Sequence, residues 1–176
     1  MVSIGPYTQS YDMKHKYDFV EKRIEKSYLC PYTLMGVIGN NSDFSIFACI
    51  VEKAHYSGKL LDQQADFTIF VPSDAELRKK YSKIFLENID DGLARQILAF
   101  SMMNRKIDKY LLQSSPVSIF PTLDRSNPMH VSTVRGVTHL HNNTTVIHFN
   151  HPANNGIVHV IDNFLIPVET SSLSSN

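Results

Sequence analysis

Apolar positions recur at helical spacing in the first half of this chain and at strand spacing in the second. Tyr17, Val20, Ile24 and Tyr28 fall three and four apart in and just after the charged segment 14–27, which predicts one stripe of an amphipathic helix. Its other face mixes Lys16, Lys22, Arg23 and Lys26 with Asp18, Glu21 and Glu25, so the sequence reads as a solvated helix docked on a core rather than a basic membrane helix. Cys30-Pro31 ends that pattern, and Gly39-Asn40-Asn41 makes a turn. Asp43 is placed to cap the next helix, in which Phe44, Phe47, Ala48, Val51 and Ala54 share a face and Gly58 supplies the stop. Phe67–Val71 is a short β run closed by Pro72. Ser73-Asp74-Ala75-Glu76 then predicts a capping box: Ser73 accepts from the Glu76 amide while Glu76 reaches back. A further helix is expected over 91–102, with Leu93, Ile97, Leu98 and Phe100 inward.

After Ser114-Ser115-Pro116 the period changes. Runs rich in Val, Ile, Thr and Phe cover 117–120, 130–135, 138–140 and 144–149, with Gly136 and Asn142-Asn143 as turns, an antiparallel meander pattern. The last run, 157–166, stops at Pro167, and Ser171–Asn176 is a polar tail. Helices first and strands second predict an α+β domain. The expected divisions are an N-terminal arm over 1–33, a domain over 34–167 and a flexible polar tail over 168–176.

Composition narrows the chemistry. A chain of 176 residues, 43% hydrophobic and 19% charged, can bury a core without metals or disulfides. Its formal net charge of zero provides no global field for nucleic acid or an anionic membrane. Arg78-Lys79-Lys80-Tyr81 and Arg105-Lys106 are the most basic runs, and helix ends account for both. No apolar run is long enough to span a bilayer, and the first residues lack the basic start and apolar run of a secretory signal. An intracellular or assembly-bound location is therefore favoured over export. The two cysteines, Cys30 and Cys49, fit a bridge or a buried thiol, the latter favoured for Cys49 by its apolar surroundings. No nucleotide-binding, zinc-protease or serine-hydrolase motif occurs, and neither Ser73 nor Ser101 has a base beside it in sequence, so no catalytic residue and no cofactor is assigned. His139 and His141 alternate and would share a strand face, the weak beginning of a metal site.

Two segments carry a family resemblance. The first is Phe67-Thr68-Ile69-Phe70-Val71-Pro72-Ser73-Asp74-Ala75-Glu76-Leu77. The second is Asn155-Gly156-Ile157-Val158-His159-Val160-Ile161-Asp162-Asn163-Phe164-Leu165-Ile166-Pro167. Each is similar to one of the paired signature stretches of the fasciclin domain family, in the same order and about a hundred residues apart, and Asp43-Phe44-Ser45 ahead of them is similar too. The resemblance spans about residues 34–167. It implies a wedge of two antiparallel β-sheets packed with several helices, and a non-enzymatic interaction or adhesion module. On the signature residues Phe67, Thr68, Phe70, Pro72, Ser73, Asp74, Asn155, Gly156, His159, Asp162 and Pro167 the expected role is structural. His159 is expected to be buried, neutral and bonded to Asp74 or a backbone group.

Matrix members of the family carry a Tyr-His pair and an acidic-Pro-Asp-Ile stretch associated with integrin binding. This chain has Phe100-Ser101 and Asn150-His151 at those places, and loses the carboxylate that a receptor metal would take. The expected partners are accordingly other proteins, including neighbouring subunits of a large assembly such as a virus particle. They would be met through the surface and through the arm that carries Tyr17, Val20 and Ile24. The alternatives are a secreted adhesion or matrix protein, for which the sequons at Asn40, Asn142 and Asn143 would matter, and a metal- or small-ligand-binding protein using the sheet histidines.

Overall fold

A computed structural model describes residues 31–167. The stripe of Tyr17, Val20 and Ile24, Cys30, and the tail over 168–176 lie outside the described residues. The element order is α1 (Leu34–Gly39), a short 3₁₀ turn (Ser42–Phe44), α2 (Ser45–Lys53), α3 (Ser57–Leu61), β1 (Phe67–Pro72), α4 (Asp74–Lys80), α5 (Lys83–Glu87), α6 (Asp91–Phe100), β2 (Met102–Met103), α7 (Lys109–Leu112), β3 (Val117–Phe120), β4 (Met129–Val134), β5 (Val137–Leu140), β6 (Thr144–Ala153) and β7 (Gly156–Ile161). Among the described residues no helix is long and apolar enough to cross a membrane.

Local chemistry explains most boundaries. Thr33, Ser73, Ser82, Asp90 and Asp108 each accept an amide of the first turn that follows them, as an N-cap does. Ser73 Oγ takes the Glu76 amide at 3.4 Å, but the Glu76 carboxylate turns to Lys79 at 2.9 Å, so the reciprocal half of the expected box is replaced by an ion pair. Asp43 does not cap α2. It sits inside the 3₁₀ turn, where its own amide donates to Asn41 Oδ1, and the carboxylate that receives the first turn of α2 comes from Asp74. Gly58 is no stop either: α2 ends at Lys53, His55 takes φ 60° just beyond it, and Gly58 lies within α3.

Hydrogen bonding joins seven strands into one sheet in the order β2-β1-β7-β6-β5-β4-β3. The two sheets of the expectation are its two halves, linked through β6, which pairs with β5 at Thr144 and Thr145 and with β7 from Val146 onward. The pairing is also not all antiparallel. β1 and β7 run parallel, Phe67 opposite Gly156 through Pro72 opposite Ile161. They lie inside the sheet, and every residue of both is buried, as expected of a strand pair covered on both faces.

Alternation along these two strands serves two cores. Ile69, Val71, Val158 and Val160 face the helices and pack with Leu34, Ile38, Phe47, Val51, Leu77, Ile97 and Leu98. Phe70 and Ile161 face the other way, into a second cluster with Met129, Val131, Leu140 and Val146 from β4, β5 and β6. The two halves of the sheet therefore close over this second core as a wedge, with Phe100, Ile107 and Leu112 filling it. The result is an α+β domain.

Candidate interaction face

The signature residues make contacts inside the domain. Asn155 is buried and uses its whole amide: Oδ1 accepts from the Leu34 amide at 2.7 Å, and Nδ2 donates to the carbonyls of Leu60 at 3.0 Å and Asp62 at 2.9 Å. One side chain thus ties α1 and the end of α3 to the start of β7. Gly156 beside it leaves room for the neighbouring strand, since a Cβ there would stand 2.2 Å from the Phe67 carbonyl oxygen. Thr68 Oγ1 donates to the Arg105 carbonyl and accepts from the Ile107 amide, each at 2.7 Å.

His159 lies opposite Phe70 and grips the same 105–107 segment from the next strand. Its Nδ1 accepts from the Asn150 amide at 3.1 Å, and its Nε2 meets the Ile107 carbonyl at 2.7 Å. Only the neutral ring with its proton on Nε2 satisfies both contacts. Burial holds its pKa below the usual histidine value, against a smaller upward pull from the Ile107 carbonyl. The partner is a backbone group, one of the two expected. Asp74, the other, is turned to α2: Oδ1 accepts from the Ile46 amide at 2.9 Å and Oδ2 takes the Ser45 hydroxyl. Asp162 Oδ1 accepts from the Thr145 amide at 2.8 Å, fastening β6 to the end of β7.

Phe100 and Ser101, expected at an interaction surface, are 3% and 1% exposed. Phe100 belongs to the second core, and the Ser101 carbonyl accepts from the Phe70 amide, so neither is offered to a partner. Asn150 and His151 are exposed. Asn150 takes φ 62° and its Oδ1 accepts from the Lys109 amide at 2.9 Å, while His151 pairs across to Val158. Cys49, expected to be buried, is half-buried in α2.

The two alternating histidines are not brought together. His139 stays on β5, its Nδ1 3.4 Å from Thr145 Oγ1. His141 lies past the strand end at φ 54°, its ring 4.9 Å from Phe100 and 5.4 Å from His130. Among the described residues no three His, Cys, Asp or Glu side chains converge as metal ligands would. His141 also lines a cleft of about 120 Å³ with Tyr81, Phe100 and Asn163, where its Nε2 has no partner among the described residues. Burial, helped by His130, lowers its pKa. The basic run at the end of α4 is partnered: Lys79 with Glu76, Lys80 with Glu76 and Asp162, and Arg78 with Asp74 at 3.9 Å.

The open surface is elsewhere. On the meander half of the sheet, Met129, Val131, Leu140 and Val146 point into the second core, so the alternate positions point out. Those outward positions are Val117, Ile119, His130, Ser132, Val134, Val137, His139, Thr145 and Ile147, and none of them carries a formal charge at pH 7 with histidine neutral. Val117 is 66% exposed, Ile119 58%, Val134 57%, Val137 42% and Ile147 39%. Val134 and Val137 are direct cross-strand partners; on β3, Val117 lies opposite Ser132, diagonal to Val134, and Ile119 lies opposite His130, further along the strand. β3 is the end strand, with β4 as its one neighbour, so among the described residues its other edge has no strand partner. Soluble domains usually protect such an edge with lysines, proline or a bulge. Here the edge strand reads Val-Ser-Ile-Phe between Pro116 and Pro121, which confine the open edge to four residues. The alternation was legible in the sequence, but which face of the meander was covered was not.

Comparison with known proteins bears on the fold and family. The family model for the fasciclin domain matches residues 42–167. Among solved structures, the chain is similar to a FAS1 domain pair from the insect cell adhesion molecule fasciclin I, at 24% identity and a TM-score of 0.65, over 78% of this chain and 51% of that one. The chain thus spans about half the length of that structure. No curated protein matches it.

Proposed function

The chain belongs to the fasciclin domain family, a family of adhesion and interaction modules, and from that premise we propose that it is a non-enzymatic protein–protein interaction module working as a structural subunit of a larger assembly, such as a virus particle. The observation that carries this reading is the uncharged outer face of β3–β6, which exposes Val117, Ile119, Val134, Val137 and Ile147 and ends in an edge that is unpaired among the described residues. Exposed apolar patches of this kind mark contact surfaces, because water is expelled from them on docking at little electrostatic cost. The signature residues support the division of labour, since Thr68, Asp74, Asn155, Gly156 and His159 are all spent on internal contacts.

Gentle size fractionation from the native source, with mass spectrometry of co-migrating proteins, tests it. Migration in a particle well above 20.0 kDa, with bare sequons, is the expected outcome. Migration as a small glycosylated extracellular species would overturn it in favour of a secreted adhesion protein. One observation favours that second reading: Asn40, Asn142 and Asn143 are all exposed and accessible to a glycosyltransferase.

A further inference from the structure

The contact face described above has a matching apolar stripe in the same chain. Thirty residues precede Pro31, and among them Tyr17, Val20, Ile24 and Tyr28 form the stripe that the sequence predicts on one helix. From Tyr17 to Tyr28 such a stripe runs about 16 Å at 1.5 Å per residue. The face from β3 to β6 is three strand spacings wide, about 14 Å. The stripe carries no charge, and neither do the outward positions of the face. The charged side of the helix would stay in water.

The tether decides whose face it meets. The Tyr32 carbonyl accepts from the Asn154 amide at 2.7 Å, and the Leu34 amide donates to Asn155, so the chain is pinned at the β6–β7 turn. Ile147 lies six residues back along β6 from Ala153, about 20 Å away. Val117 and Ile119 lie three strands further across. From Tyr28 to the anchored Tyr32 the chain spans at most about 14 Å. From there α1 continues on the side of β7 that faces the helices, with β1, β7 and the second core between it and the outer face. A chain so anchored cannot lay its whole stripe across its own β3–β6 face; a second copy can.

We propose that residues 14–28 of one copy dock as an amphipathic helix on the outer β3–β6 face of another. The inference rests on that face being the contact surface. Each copy then offers one arm and one face, so the contact is heterologous and links copies head to tail into a ring or an open chain. The formal net charge of zero adds no long-range repulsion between copies.

Sedimentation of the full chain over a concentration series tests this with two variants, Val20→Asp/Ile24→Asp in the arm and Ile119→Asp/Val137→Asp on the face. Wild type is expected to associate as concentration rises, and each variant to stay monomeric with an unchanged melting curve. An equimolar mixture of the two is expected to form a 1:1 dimer and nothing larger, because one intact arm and one intact face remain. Association of the arm variant alone, or a mixture that stays monomeric, would overturn arm exchange. If the face variant melts early, Val134→Lys replaces it in the same scheme, with the same outcomes. A wild-type chain that is monomeric throughout yet still co-migrates with a larger particle overturns the exchange and leaves the proposed function standing.

Discussion

Asn155 and Gly156 occupy adjacent positions and do opposite things, one filling every hydrogen bond and the other removing every side-chain atom. Asn155→Ala leaves the Leu34 amide and the Leu60 and Asp62 carbonyls without their side-chain partner. At ~1–3 kcal/mol for each unmet buried group, a loss of at least about 3 kcal/mol is expected in urea denaturation. Gly156→Ala drives a methyl against the Phe67 backbone oxygen, which cannot swing away as a side chain would. The expected cost is at or above the upper end of the ~1–3 kcal/mol typical of overpacking, read in the same experiment. His159 makes stability depend on pH. Its folded pKa lies below its unfolded one, so the unfolded chain binds more protons under mild acid. The stability it contributes is fully present above the unfolded value near ~6.5, and falls as pH drops below it, by at most about 1.4 kcal/mol per unit. His141 acts in the same direction from a half-buried site. Denaturation at pH 7.5, 6.5 and 5.5 should show this fall, and His159→Phe should start less stable and fall less steeply.

Between elements, the informative case is Asp74. A local reading gives it to the helix it begins, α4, yet its carboxylate caps α2, twenty-eight residues earlier in sequence. Asp74→Ala should therefore loosen two helices at once, costing about 1–2 kcal/mol, with faster amide exchange at Ile46 as the diagnostic. The same contrast shows how far sequence reaches. Strand alternation, caps and turns are set by neighbours within a few residues, and the meander, Ser73 and Gly136 were all legible. The parallel β1–β7 pair joins segments almost ninety residues apart, and no local pattern encodes it. Asp43 and Gly58 misled for the same reason: each has the right local chemistry, and tertiary packing gave the task to Asp74 and to the left-handed turn at His55. Ser101 was placed at a surface by position in a family pattern, which says nothing about burial, and it is buried just past the end of α6; Phe100 carried two readings, and the helical spacing that turned it inward was the right one.

At the scale of the whole molecule, two cores and one long sheet leave the outer side of the meander uncovered. The helices cover one face of β1 and β7, and the second core lies between the sheet's two halves. Nothing among the described residues covers Val117, Ile119, Val134, Val137 and Ile147. Exposed apolar patches of this kind mark contact surfaces, and the proposed function rests on this one. The most direct test pairs a melting curve with native-particle fractionation for Ile119→Asp/Val137→Asp. Exposed substitutions usually move stability by no more than about 0.5 kcal/mol, so melting within about 2 °C of wild type is predicted. With it should come loss of the variant from the particle. A variant that melts normally and still enters the particle at wild-type stoichiometry would contradict the claim that this face makes the contact.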